Sequence, residues 1–151
     1  MMLLAILALL AVPRDTLGIY EGWGAFRDPS PLRCFAIARP VGGRGEGFAS
    51  VATWPREGAR SQIHIRLSRA RAANARVTLS VGERRFELSG GAADAWAPDA
   101  RTDRAIVTAM RDGRSMSVES VGANGAPFAD TYALKGAATA IDAAAVGCAG
   151  R

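Results

Sequence analysis

Two cysteines restrict this chain more than any other feature: Cys34 lies in an apolar run near the beginning, and Cys148 closes an alanine-rich segment at the very end. An even number with no third thiol is the pattern of a compartment in which disulfides persist. A bond between them closes a loop of about 114 residues, worth roughly 4 to 5 kcal/mol on the chain-entropy model. Nearly everything between the two then becomes one closed unit. The alternative is two buried free thiols in a reducing compartment, and export decides between them.

Export is suggested by the N-terminus. Residues 2–12 are eleven consecutive apolar side chains, ended by Pro13-Arg14-Asp15. That is the length of a signal-peptide core and well short of the ~20 residues a membrane-spanning helix needs. The expectation is a leader over residues 1–17 and a single domain over 18–151, with no stable membrane span. No basic residue precedes the apolar run and no clean small-x-small site follows it; Ala8 and Ala11 are the nearest candidates. A buried N-terminal helix or an uncleaved anchor is the competing reading. No cysteine lies near the end of the run, so anchoring through a lipidated cysteine is not expected.

At 151 residues the chain is one domain with room for a real core, and an apolar fraction of 49% fits a globular chain. The net charge of +5 is a modest bias towards anionic partners, since no block of five like charges occurs. Aromatics make up 7%, too few to line a basic stripe once the core has taken its share, which argues against nucleic acid as a partner.

The middle of the chain is written in the period of two that marks strands. Residues 19–26 alternate large and small side chains, and Asp28-Pro29-Ser30-Pro31 ends that run. Residues 33–39 carry Cys34, Ala36 and Ala38 on one face and Phe35 and Ile37 on the other, so an inner strand is expected. The following PVGGRGEG has the glycines of a phosphate cradle. Residues 48–54 continue as another strand where a cradle requires a helix, so a wide hairpin loop is the expectation. Pro55 to Gly58 turns the chain. Residues 61–69 alternate cleanly, with Ile63, Ile65 and Leu67 inward and Gln62, His64, Arg66 and Ser68 outward.

His64 is the only histidine, and no cysteine, histidine or carboxylate cluster lies near it in sequence, so a solvated imidazole is expected and a metal site is not. Arg66, Arg69 and Arg71 extend the same outward side; together with His64 they form the candidate binding surface for an anionic group. The bland alternative is an edge protected by charge.

Residues 76–81 and 84–88 predict a hairpin turning at Gly82-Glu83. Residues 89–103 lack periodicity and are expected to form a long surface loop pinned to the sheet by Trp96. Asp94 and Asp99 flank that tryptophan, but two acids five apart in a loop do not make a catalytic pair, and no catalytic residue is assigned. Residues 104–110 suit a short helix or a strand equally. Residues 114–121 and 128–134 predict two more strands around a Gly122–Gly125 turn. Residues 137–146, mostly alanine, predict a helix whose face holds Leu134, Ala138, Ile141, Ala145 and Cys148, stopped by Gly147 in a left-handed conformation.

The order Trp23, Cys34-Phe35-Ala36-Ile37, Phe86-Glu87-Leu88, Trp96, Ala109-Met110-Arg111-Asp112-Gly113 and Tyr132-Ala133-Leu134-Lys135-Gly136-Ala137-Ala138-Thr139-Ala140-Ile141 resembles the invasion-associated locus B family. The resemblance runs from about Trp23 to Cys148, and the strand ending in Leu-Lys-Gly before a small-residue helix is its most specific part. Ala137 departs from it, standing where the family usually has a bulkier residue.

The resemblance implies a mainly β, antiparallel sandwich-like domain with a short C-terminal helix. It also implies a periplasmic or outer-membrane-associated location, a link in pathogens to entry into host cells, and neither catalytic residues nor a cofactor. The function expected is non-enzymatic binding of an envelope protein or an anionic envelope component; the alternative is an envelope hydrolase acting from the Trp96 loop.

Overall fold

The computed structural model describes residues 13–43 and 45–150. In chain order the elements are β1 (Asp15–Tyr20), β2 (Trp23–Pro29), β3 (Leu32–Ala38), β4 (Phe48–Trp54), a 3-10 turn (Pro55–Glu57), β5 (Ala59–Arg66), β6 (Val77–Val81), β7 (Arg84–Gly90), β8 (Asp94–Trp96), α1 (Ala100–Asp112), β9 (Ser115–Val121), β10 (Pro127–Ala133) and α2 (Ala137–Cys148).

The strands form one antiparallel sheet in the order β1-β2-β3-β4-β5-β8-β7-β6-β9-β10, so the fold is mainly β with a C-terminal helix, as the alternating runs require. The sheet curls until its last strand returns to the loops of its first half. Val41 N donates to Thr131 O at 2.6 Å, and the Trp23 indole Nε1 donates to Ala133 O at 2.8 Å. One continuous core results, with Trp23, Ala36, Ile63, Ile65, Leu79, Ile106, Met116, Val118 and Tyr132 all essentially inaccessible.

The cysteines are joined as a disulfide between β3 and the last turn of α2, with Cα atoms 5.9 Å apart. Helix α2 packs across the inner side of β1 to β4, and small residues make that close approach possible. Its buried face is Ala137, Ala140, Ile141, Ala144 and Cys148. Ala138 is only half-buried and Ala145 is exposed, so the expected face was rotated by one position at both.

Gly147 does not stop the helix. It remains within α2, where any side chain would run into Leu17 Cδ1 at 2.6 Å. The left-handed glycine is Gly136, at the other end: its φ is 89°, and an added Cβ would lie 2.1 Å from Tyr20 O. Ala137, where the family pattern is bulkier, is fully buried.

Other expectations are corrected by the sheet. Residues 19–26 are not one strand but two, folded at Glu21-Gly22 with Tyr20 paired to Trp23; Glu21 takes the positive φ of 54°. Residues 89–103 are not a long loop. β7 runs to Gly90, β8 bridges β5 and β7, and α1 begins at Ala100. Residues 104–110 are helical, because Asp99 accepts from Thr102 N at 2.7 Å as the N-cap and Asp103, Ile106, Val107 and Met110 fall on one buried stripe.

Asp15, Thr16 and Leu17, placed in the leader on sequence grounds, form the first half of β1, and Leu17 packs against the core. Residues 1–12, the apolar run of that leader, lie outside the described residues. Among the described residues no helix is long and apolar enough to cross a membrane.

Candidate binding face on the outer side of the sheet

Strand alternation gives β2 to β5 and β8 a second face, turned away from α2. Cross-strand register builds a row across it: Ile19, Gly24, Ile37, Ser50, His64 and Trp96. Phe26 and Phe35 pair beside this row with ring centroids 5.6 Å apart. Both sides of β3 are therefore apolar, as expected of an inner strand, and among the described residues no helix packs on this apolar face.

His64 is the most constrained side chain there. Its ring stacks on Trp96 at 4.9 Å and 10°, and meets the edge of Phe48 at 5.2 Å and 90°. Its Nε2 lies 2.8 Å from Asp94 Oδ1, while Arg66 donates to Asp94 Oδ2 at 2.6 Å. Asp94 thus ties the histidine and the arginine together. The expected solvated imidazole is instead held on three sides, because β8 joins the sheet and brings Asp94 and Trp96 alongside β5.

Trp96 is not a plug. Ala95 takes the buried position of β8, and Trp96 is 37% exposed on the outer side. A fixed aromatic ledge edged by a carboxylate, an imidazole and a guanidinium suits flat or ring-bearing groups with a polar edge.

Next to the ledge lies a groove of about 480 Å³, walled by Ile19, Phe26, Ile37 and Phe48 above Gly24 and rimmed by Glu21, Arg39 and Glu46. Sequence reasoning did not find the groove, since its walls come from four strands and the hairpin at Glu21-Gly22 was missed. The apolar outer residues of the Cys34 strand were the available signal.

Of the four residues expected to form a basic surface, the structure brings together His64 and Arg66. Arg69 is exposed and rests over Phe128 at 5.3 Å. Arg71 staples loops: it donates to Gly91 O and Gly90 O, both at 2.7 Å, and to Ala75 O. Asp94 and Asp99 take different partners, the first on the ledge and the second at the α1 cap, where the Thr102 amide holds its carboxyl below the ordinary value. Among the described residues no group of three His, Cys, Asp or Glu side chains is arranged to hold a metal.

At the far end of the same half-sheet, Asp28 accepts from Arg14 at 2.6 Å and Arg33 at 2.9 Å. Its partial burial acts to raise its pKa, but the two guanidiniums outweigh this and hold the carboxyl below the ordinary range. Arg33 also covers Phe35 at 4.1 Å and Trp54 at 5.1 Å, so this end is closed by cations over aromatic rings.

The model of invasion associated locus B (IalB) proteins matches residues 30–145, well over half of the chain. The structure is similar to the crystal structure of invasion associated protein B from Bartonella henselae, with a TM-score of 0.63 and 18% identity over 85% of this chain and 94% of that one. At that identity the likeness speaks for the fold alone. No curated protein sequence matches the chain.

Proposed function

Because the chain belongs to the invasion associated locus B family, we propose that it works outside the cytoplasm as a non-enzymatic envelope domain that binds a protein or an anionic envelope component. The Cys34–Cys148 disulfide fits an oxidising compartment, and the apolar residues 2–12 fit an export leader. The leader ends before Arg14 in this reading, since Arg14 pairs with Asp28 and β1 starts at Asp15.

One observation carries the binding role: Trp96 stays 37% exposed on the sheet surface while His64, Asp94 and Arg66 fix it in place. A rigid aromatic anchor with a charged edge loses little freedom on docking, which is the property of an interface centre. Arg69 contributes a peripheral positive charge, and Arg71 acts through the loops it holds.

Cross-linking and capture from envelope extracts tests the proposal, using the intact chain, Trp96→Ala and Arg66→Gln. The expected result is a partner recovered with the intact chain and lost or sharply reduced with both variants. Equal recovery by all three would remove this face from the function.

A further inference from the structure

Past Trp96 the outer side of the sheet changes character. His64 on β5 covers one face of the indole. On the other side of β8 runs β7, which sets Ser89 opposite Trp96. Ser89 is exposed and short, and among the described residues no second ring or cation stacks on the indole, so the face towards β7 is open.

From there the outward residues turn polar. Glu87 on β7, Thr78 on β6, Glu119 on β9 and Ala129 on β10 stand side by side in register. Both oxygens of Asp94 are taken by His64 and Arg66. By contrast, Ser89, Thr78 and Glu119 have no side-chain hydrogen bond or ion pair among the described residues. Glu87 has only a 3.9 Å approach from Arg76. At the far end Val121, Pro127 and Ala129 line a groove of about 550 Å³ together with Thr78 and Glu119.

This combination selects a ligand chemistry. An apolar peptide side chain stacked on Trp96 would strip water from Ser89 and Glu87 without replacing its hydrogen bonds, and two glutamates repel phosphate and other anions. A pyranose ring with equatorial hydroxyls meets both demands: its C–H face lies flat on the indole, while the hydroxyls round its rim donate to carboxylates and exchange with Ser89 and Thr78. Strands about 4.8 Å apart put Glu119 three spacings, or about 14 Å, from Trp96, the reach of a short oligosaccharide and not of one ring. Equatorial links keep successive rings in one flat ribbon, as a row of strands requires.

We propose that Trp96 and the Glu87-Thr78-Glu119 row bind a neutral β-linked glycan strand, with one pyranose stacked on the open indole face and the following rings hydrogen-bonded along the row. This rests on the reading of Trp96 as a binding centre and names what is bound there.

Calorimetric titration of the disulfide-bonded full chain with cellotetraose and with tetra-N-acetylchitotetraose tests this, beside Ser89→Phe and Glu119→Ala. The two sugars distinguish a hydroxyl from an acetamido group beside each link. Phenylalanine at the exposed position 89 fills the open indole face, and alanine at 119 removes an acceptor that lies away from the ledge. The expected result is saturable binding of at least one tetrasaccharide, about tenfold weaker in each variant. A native chain that binds neither sugar overturns the proposal, as does binding that either variant of native circular dichroism leaves unchanged. Should Ser89→Phe fail to fold, Glu119→Ala decides alone. Capture from envelope extracts separates this from the reading beneath it: a protein partner that is still lost with Trp96→Ala, from a chain that binds neither sugar, removes the glycan and keeps the binding face.

Discussion

The two helices hold the sheet by opposite means. Helix α2 is built almost wholly from small residues: apart from Ile141, its buried face is alanine and Cys148, and its grip on β1 to β4 is completed by the bond to Cys34. Helix α1 buries Ile106, Val107 and Met110 and has no covalent tie. It is fixed by the Asp99 cap and by Asp103, whose Oδ1 accepts from Ile63 N at 2.9 Å where β5 runs on past the end of β8. Small side chains give close approach but little apolar area, and a covalent clamp compensates; larger ones need no clamp.

Removing the clamp is therefore expected to produce the largest effect. The Cys34→Ala/Cys148→Ala double variant should lose up to about 5 kcal/mol in denaturant unfolding, the chain-entropy bound for a closed loop of this size. Amide exchange should rise first in α2 and β1.

Truncating the other helix should come next. Met110 is 1% exposed, so Met110→Ala is expected to cost about 2 to 4 kcal/mol while leaving exchange in α2 close to native. Protection lost equally in both helices would mean that the two halves are one cooperative unit and that the contrast has no energetic content.

The smallest effect belongs to Asp103. Burial pushes its carboxyl above the ordinary value of 3.8, only partly countered by the Ile63 amide. A folded-state value above the unfolded one means the native chain holds that proton more tightly. Its contribution to stability is thus greatest at low pH and falls as the pH rises from 3.8 to the raised value. Asp28 and Asp142, held below the ordinary value by arginines that outweigh burial for Asp28 and by the Arg111 bond for Asp142, act the other way and lose their contribution in acid. Asp103→Asn keeps an acceptor for Ile63 N and should flatten the Asp103 part of the pH profile, measured by thermal unfolding between pH 4 and 7.

How much of this was legible in the sequence follows the same division. Strands with a buried stripe of three or more residues, such as Ile63-Ile65-Leu67 and Val77-Leu79-Val81, announce themselves because side chains alternate. β8 has three residues, too few to show a period, so Trp96 was assigned to the inside when Ala95 occupies it. The β1–β2 hairpin was hidden because its turn puts a glutamate, not a glycine, at positive φ. Gly136 and Gly147 exchanged roles for a tertiary reason: one is demanded by Tyr20 O and the other by Leu17, neither near in sequence. His64 was judged by its sequence neighbours, whereas its partner Asp94 is thirty residues away.

The claim on which the rest depends is the bond between the first half of the sheet and the last helix. A peptide map of the protein isolated from its native host, taken with and without reductant, tests it most directly. The expected result is one linked peptide pair containing Cys34 and Cys148 that separates on reduction with the gain of two hydrogens. Recovery of both cysteines as free thiols from the unreduced protein would contradict the clamp, and with it the extracytoplasmic reading.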